Sequence, residues 1–201
     1  MSADSLYLDH AATTPLLPAA RDALLHGFAI WANPSSPHGP GRAARAALED
    51  ARARLKAALY WDGEVIFTSG ASEALALAIS RCVQPLAGVS VVEHEAVLRH
   101  AGDAARIVVD GLGLVDPAAC ALPGLVAVQQ VNNETGVMQP LEAVAAAVRG
   151  AGGLLLADAA QGAGKLALPD ADMIALSAHK FGGPIGVGAL LVRDWALLRP
   201  T

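Results

Sequence analysis

The chain has 201 residues, of which 54% are hydrophobic and 16% charged, with a formal net charge of −5 and two cysteines. That length supports one sizeable core, and an apolar content carried by Ala, Leu, Val and Gly with few aromatics fits a layered α/β interior. The absence of a basic face argues against nucleic acid. The lack of any run of about 18 apolar residues argues against a membrane span, and Cys82 and Cys120 stand in no CxxC or metal-ligand spacing.

The first residues, MSADSLYLDHAATT, carry no basic region followed by an apolar stretch. No secretory leader is therefore expected, and the two thiols read as reduced in a cytoplasmic protein. Residues 41–59, GRAARAALEDARARLKAAL, combine strong helix formers with mixed charges on the polar positions and predict a helix. The next run, EVIFTS (64–69), predicts a strand, and SEALALAISRCV (72–83) a helix opening on Ser and Glu. VSVVE (89–93), RIVVD (106–110) and LVAVQQV (125–131) predict strands, with EAVLRHAG (95–102) a helix between the first two. PLEAVAAAVRGAGG (140–153) opens on Pro and closes on Gly, as a helix does. LLLAD (154–158), MIALSA (173–178) and GALLVR (188–193) complete seven strands. Most of these runs do not alternate with polar residues, which fits strands buried on both faces of a mainly parallel sheet. The link between the last two strands is too short for a crossover helix, so the final strand should run antiparallel to its predecessor. The expected fold is a three-layer α/β domain with a seven-stranded, mainly parallel sheet and one antiparallel strand.

In such sheets ligands bind beyond the carboxyl ends of the strands, and the polar residues of this chain fall there. TSGASE (68–73) places the backbone of Ala71 and Ser72 and the Ser72 hydroxyl at a helix start, an anion cup, although the same residues also read as a turn and an N-cap. His94 follows the second strand, where a lone His is otherwise a surface or capping residue. Asn132 and Asn133 follow another strand in VNNETG, a composition that turns use for conformational reasons alone. Asp158 ends a very apolar strand, with Gln161 close behind, and a carboxylate there needs a partner such as a cation or a protonated ring nitrogen. Ser177, His179 and Lys180 stand within four residues before a glycine-rich loop. A lysine beside a buried strand end has a lowered pKa and becomes nucleophilic; the plainer alternative is a side chain snorkelling to solvent. Together these groups match what pyridoxal 5'-phosphate needs: anion donors, a ring stack, a donor to the ring hydroxyl, a carboxylate for the ring nitrogen and a lysine. There is no GxxxxGK[ST] loop, and the glycines of GGPIGVG do not join a strand to a helix, so neither a nucleotide loop nor a dinucleotide fingerprint is expected. Those glycines should instead make a tight turn past the lysine.

The stretches YLDHAATTP, NPSSPHGPGRAARAALEDAR, EVIFTSGASEALALAI, EHEAVL, VNNETGVMQP, ADAAQGAGK and LSAHKFGGPIGVGALLVR resemble, in order, those of the cysteine desulfurases, class V aminotransferase-like enzymes of pyridoxal-phosphate fold type I. The resemblance implies a fold type I large domain over residues 1–201, without the family's C-terminal small domain. It implies that Lys180 holds the cofactor as a Schiff base and that His94 stacks on the ring and shuttles protons. Asp158 would pair with the ring nitrogen, and Gln161 and Asn133 would bond near the ring hydroxyl. Ala71, Ser72, Ser177 and His179 would bind the phosphate, and Asn33 would lie near the substrate. The implied reaction takes sulfur from L-cysteine and leaves alanine, with a sulfur acceptor or iron–sulfur scaffold protein as partner and a homodimer or self-associating chain as assembly. The family's persulfide-forming cysteine and substrate-binding arginine lie on later segments, and neither Cys82 nor Cys120 matches that cysteine. A non-catalytic cofactor-binding homologue and a related lyase, of the selenocysteine lyase or kynureninase-like kind, are the alternatives. The stretch between His94 and Asn132 looks shorter than in the family, so one crossover helix there is expected to be missing or stunted. Ile185 stands where the family commonly has lysine, and Ser72 replaces a threonine while keeping its hydroxyl.

Overall fold

The computed structural model describes residues 6–200. In chain order they form α1 (Pro18–Phe28), α2 (Gly39–Leu59), β1 (Glu64–Thr68), α3 (Ala71–Arg81), β2 (Leu86–Ser90), α4 (Glu95–Leu98), β3 (Ala105–Ile107), β4 (Leu125–Gln129), α5 (Leu141–Gly150), β5 (Leu154–Asp158), β6 (Met173–Ser177) and β7 (Gly188–Val192). One seven-stranded sheet results, in the order β1-β7-β6-β5-β4-β2-β3. β7 runs antiparallel to both β1 and β6, and every other pairing is parallel. The short 178–187 link imposes that reversal, because it can return the chain only beside the strand it has just left.

Every residue of β4, β6 and β7 is buried, which is why their sequences do not alternate. Alternate side chains serve two opposite cores. Val126, Val128, Leu155 and Ile174 pack with Val144 and Val148 of α5 and with Leu55 and Leu59 of α2. Leu125, Leu156, Met173 and Leu190 pack with Leu75 and Ala78 of α3 and Val97 of α4. The sheet therefore lies between two helical layers. Emptying either core by a Leu→Ala change costs about 2–5 kcal/mol.

Two expectations shift. The second strand begins three residues upstream of VSVVE, at Leu86, and the chain turns at Val91 and Val92. Propensity favoured the valines, but pairing fixes the strand: Leu86, Gly88 and Val89 meet β4, while Val89 and Ser90 meet β3. The third strand keeps only three residues, as the edge of the sheet. Of the crossovers around it, α4 keeps only the first four residues of EAVLRHAG before β3, and a 3₁₀ turn, Pro117–Cys120, stands before β4 in place of a full helix.

One close approach shapes the site. A Cβ on Gly188 would stand 2.5 Å from Gly70 Cα and 2.6 Å from Leu176 O. Only glycine lets the start of β7 lie against the turn into α3, which draws the α3 N-terminus towards the end of β6. Gly182 and Gly186, at φ 91° and 82°, turn the backbone between Lys180 and β7 as the glycine-rich loop predicted.

Candidate functional site

A cleft of about 540 Å³ opens at the carboxyl ends of the parallel strands. Ala71, Ser72, His94, Asn133, Asp158, Gln161, Ser177, His179 and Lys180 all line it, delivered by the ends of β1, β2, β4, β5 and β6. Asn33 is not among its lining residues. It lies before α2, where its Oδ1 accepts the Ser35 N–H at 2.9 Å.

At one end of the cleft sits the start of α3. No side chain caps that helix at Gly70, so the N–H groups of Ala71 and Ser72 are unspent and the positive end of an eleven-residue helix faces the cleft. The Ser177 side chain closes the other side of this cup, its Oγ 3.8 Å from where a Cβ on Gly70 would stand. The carboxylate of Glu73 is held out of the cup, because Ser69 N–H and Oγ–H donate to its Oε2 at 2.6 and 2.7 Å. Those bonds hold the Glu73 carboxyl below its ordinary range.

At the centre, Asp158 ends β5 only 8% exposed and accepts the Ala160 N–H at 2.9 Å. Burial raises its pKa, while that N–H and the neighbouring His94 and Lys180 pull it down. Among the described residues it forms no ion pair. His94 caps α4, its Nδ1 accepting the Ala96 N–H at 3.0 Å. That bond assigns the ring proton of the neutral form to Nε2. The His94 side chain is otherwise exposed to the cleft.

Lys180 donates from Nζ to Ala11 O at 2.5 Å and to Ala12 O at 3.0 Å. Gln161 Nε2 donates to the same Ala11 oxygen at 2.8 Å. The segment is pinned behind them by Thr14 N–H to His179 O (2.7 Å), Thr14 Oγ–H to Lys180 O (2.9 Å) and the His179 Nδ1 contact with Thr13 Oγ1 (3.1 Å). Burial lowers the Lys180 pKa; Asp158 and Asp9 oppose that shift and Lys165 adds to it. His179 is also lowered, by burial and then by the charge of Lys180. An amine that sheds its proton more readily than an ordinary lysine is the group a carbonyl ligand would capture.

The cleft also holds Glu73 and Glu134, from the TSGASE and VNNETG motifs, and groups that the sequence did not single out: Asp9, Gln129 and the Ala11 and Ala12 carbonyls. Two alanines offer no side chain to flag, so only the three-dimensional path of the chain reveals them. Ile185, 81% exposed, stands at the rim. Cys82 and Cys120 are both buried and are not among the lining residues. Burial raises both thiols, that of Cys120 to about 11. No group of three or more metal-ligating side chains occurs among the described residues, and no helix there is long and apolar enough to cross a membrane.

The aminotransferase class-V family model matches residues 6–200. A cysteine desulfurase of Cereibacter sphaeroides is 40% identical over 222 residues, covering 98% of this chain and 57% of that protein. One of Bradyrhizobium diazoefficiens is 39% identical, covering 97% and 56%. Among solved structures, a NifS-like protein from Rickettsia africae superposes with a TM-score of 0.85 at 28% identity, covering 93% of this chain and 57% of that one. SspA in complex with cysteine superposes with a TM-score of 0.85 at 29% identity, covering 98% and 64%. The chain thus spans little more than half the length of the curated relatives it matches. On the reach of the family match and on the shared fold, the chain belongs to the aminotransferase class-V family, and the relatives it is similar to are cysteine desulfurases.

Proposed function

We propose that these residues form the pyridoxal 5'-phosphate-binding large domain of a cysteine desulfurase, which takes sulfur from L-cysteine and leaves L-alanine. One observation carries the reading: a lowered lysine, a buried carboxylate without a bonded cation, a capping imidazole and an unspent helix N-terminus line one cleft. That set fits the cofactor part by part. Ala71, Ser72, Ser177 and His179 would hold the phosphate, Asp158 the ring nitrogen, Asn133 and Gln161 the ring hydroxyl, and Lys180 the carbonyl carbon. When bound, the cofactor supplies an electron sink for charge developing at the substrate's Cα.

The chain's own residues do the rest. Lys180, once free of the carbonyl carbon, has the position and the lowered pKa to take the proton from Cα, and His94 the position to hold one at the ring face. Asp158 would face the ring nitrogen with its carboxyl. A Lys180 held through Nζ by the cofactor would keep at most one N–H and would give up at least one of the Ala11 and Ala12 carbonyls, with Gln161 still placed to donate to Ala11. The relative solved with cysteine supports that amino acid as substrate. The sulfur-accepting thiolate is supplied neither by Cys82 nor by Cys120, both buried and raised. Sulfur delivery would need a cysteine from another chain, which would pass the sulfur to an acceptor such as an iron–sulfur scaffold protein, or would not occur. The exposed Phe28 and Trp31, beside an α1 without one buried residue, support self-association, with Asn33 near the substrate and the contact between copies.

A second reading, cofactor binding without turnover, is favoured by the same two buried thiols. Incubation with pyridoxal 5'-phosphate should give a visible absorbance band, and borohydride reduction should fix the added mass on the peptide carrying Lys180. No band in the parent chain would sink the cofactor assignment. If cofactor binds, alanine and sulfide release from L-cysteine with an added small thiol supports the desulfurase, and their absence leaves the binding role.

A further inference from the structure

Beneath the cleft lies a buried acid with no part in the chemistry above. Glu93 is 5% exposed, and it follows a strand that ends early. β2 stops at Ser90, while β4 continues to Gln129. In the register that pairs Val89 with Ala127, Gln129 would meet Val91, where the chain has already turned away. The missing rung is supplied by a side chain: Gln129 N–H donates to Glu93 Oε1 at 2.8 Å. Two more amides reach the same turn, Gln129 Nε2 donating to Val92 O at 2.5 Å and Asn132 Nδ2 to the same oxygen at 3.0 Å. Gln129 is in turn the register partner of Asp158 on β5. One step beyond Glu93, His94 starts α4 and lines the cleft.

We propose that Glu93 is a positioning residue for the site: its carboxyl closes the gap between β2 and β4 and, with the amides of Gln129 and Asn132, fixes the turn that presents His94. The proposal rests on the function above, because the place of His94 matters only if a ring lies against it. Glu93 Oε2 is buried without a partner, the situation of a neutral acid rather than of a carboxylate. Burial pushes the Glu93 carboxyl well above its usual range; the Gln129 N–H pulls it part of the way back, Asp158 adds to the rise, and the neighbouring Ser90 hydroxyl works against it. Of two neighbouring buried acids, Asp158 is the one with His94 and Lys180 near it to offset its burial. A neutral Glu93 holds the turn without adding a negative charge beside Asp158.

The test compares the parent chain with Glu93→Gln, which keeps an acceptor for Gln129, and Glu93→Leu, which keeps the bulk without it. Amide exchange in the cofactor-free proteins should quicken about 10-fold or more at Ala96 and Val97 in Glu93→Leu, with β6 unchanged, and stay at the parent's rate in Glu93→Gln. With pyridoxal 5'-phosphate bound, circular dichroism of the cofactor band, per bound cofactor, should fall by about half or more in Glu93→Leu and recover in Glu93→Gln. Parent-like exchange and dichroism in Glu93→Leu overturn the proposal, as does a Glu93→Gln protein that behaves like Glu93→Leu. If Glu93→Leu does not fold, Glu93→Met, close in length to Gln but without an oxygen acceptor for the Gln129 N–H, takes its place and is read the same way. A parent chain that takes up no cofactor sinks the function instead, while the exchange comparison still decides the positioning role.

Discussion

The two ends of the sheet carry clefts of nearly the same size and opposite character. One, about 540 Å³, lies at the carboxyl ends of the parallel strands; the other, about 580 Å³, lies at their amino ends, between the close of α2 and residues 164–170. At the amino end the central polar groups are spent on one another, while Asp62 and Lys165, both exposed, form no ion pair among the described residues. Asp170 holds both Arg149 and Arg193, Arg193 stacks 5.4 Å from the Trp61 ring centre, and Trp61 Nε1 donates to Glu64 O. At the carboxyl end Asp158 and Lys180 form no ion pair among the described residues, and α3 begins uncapped. Volume does not separate a ligand site from a surface dent; unspent hydrogen-bonding and charge capacity does.

The sharpest way to break that contrast is to remove the amine. Lys180→Ala should lower borohydride-fixed cofactor by about 100-fold or more, since no other lysine lines the cleft. In the parent, the lowered Lys180 pKa means that covalent uptake should reach half its maximal rate at a pH below the 10.5 of an ordinary lysine. Stopped-flow absorbance across about pH 6 to 11.5 measures this. A half-rise at or above 10.5 would show an amine no different from one on the surface.

The contrast was partly visible in the sequence, and where it was not the reason is physical. Apolar runs without alternation announced buried strands, and the short link before β7 announced its reversal, because both follow from local chemistry and chain length. Asp158 stood out as a carboxylate closing an apolar strand. The same reasoning applies to Glu93 after GVSVV, yet the valines drew the strand over it, so a buried acid passed for an ordinary strand end. Pairing with β4, a contact across some 36 residues of sequence, is what ends β2 at Ser90 and turns Glu93 inward. Backbone carbonyls such as Ala11 O, and the mutual quenching of Asp170, Arg149 and Arg193, are likewise long-range facts with no local mark.

A smaller effect tests whether the unspent charge at the carboxyl end is held at a cost. Asp158→Asn keeps an acceptor for the Ala160 N–H but removes a buried charge. Without cofactor the variant should be more stable than the parent by about 1 kcal/mol near neutral pH. Its sign follows from the raised pKa. The parent's Asp158 is tolerated best when protonated, so the parent loses ground as pH rises from 3.8 through the folded value, and the variant's advantage grows over that range. Thermal melts at several pH values read this, and with pyridoxal 5'-phosphate present the order should reverse, with cofactor affinity about 10-fold weaker in the variant. A variant less stable at every pH would show Asp158 as a structural group like those at the other end.

The smallest effect belongs to the amino-end cleft, where a charge change should touch stability alone. Asp170→Asn removes the partner of two arginines at once, but all three side chains are well exposed, so the loss should be about 1 kcal/mol or less. The hydrogen bond from Arg149 comes first among the causes that hold the Asp170 carboxyl below 3.8, with the charges of Arg149 and Arg193 adding to it. Its contribution is therefore fully present above pH 3.8 and disappears as pH falls through the lower folded value. Parent and variant melting curves should differ at pH 7, converge on acidification and converge at neutral pH in high salt, because exposed pairs are screened. Cofactor uptake should be the same in both at every pH where Lys180 reacts. A change in uptake on losing Asp170 would mean that the two ends of the sheet communicate, and that Lys165, which lines this cleft and lowers the Lys180 pKa, carries the coupling.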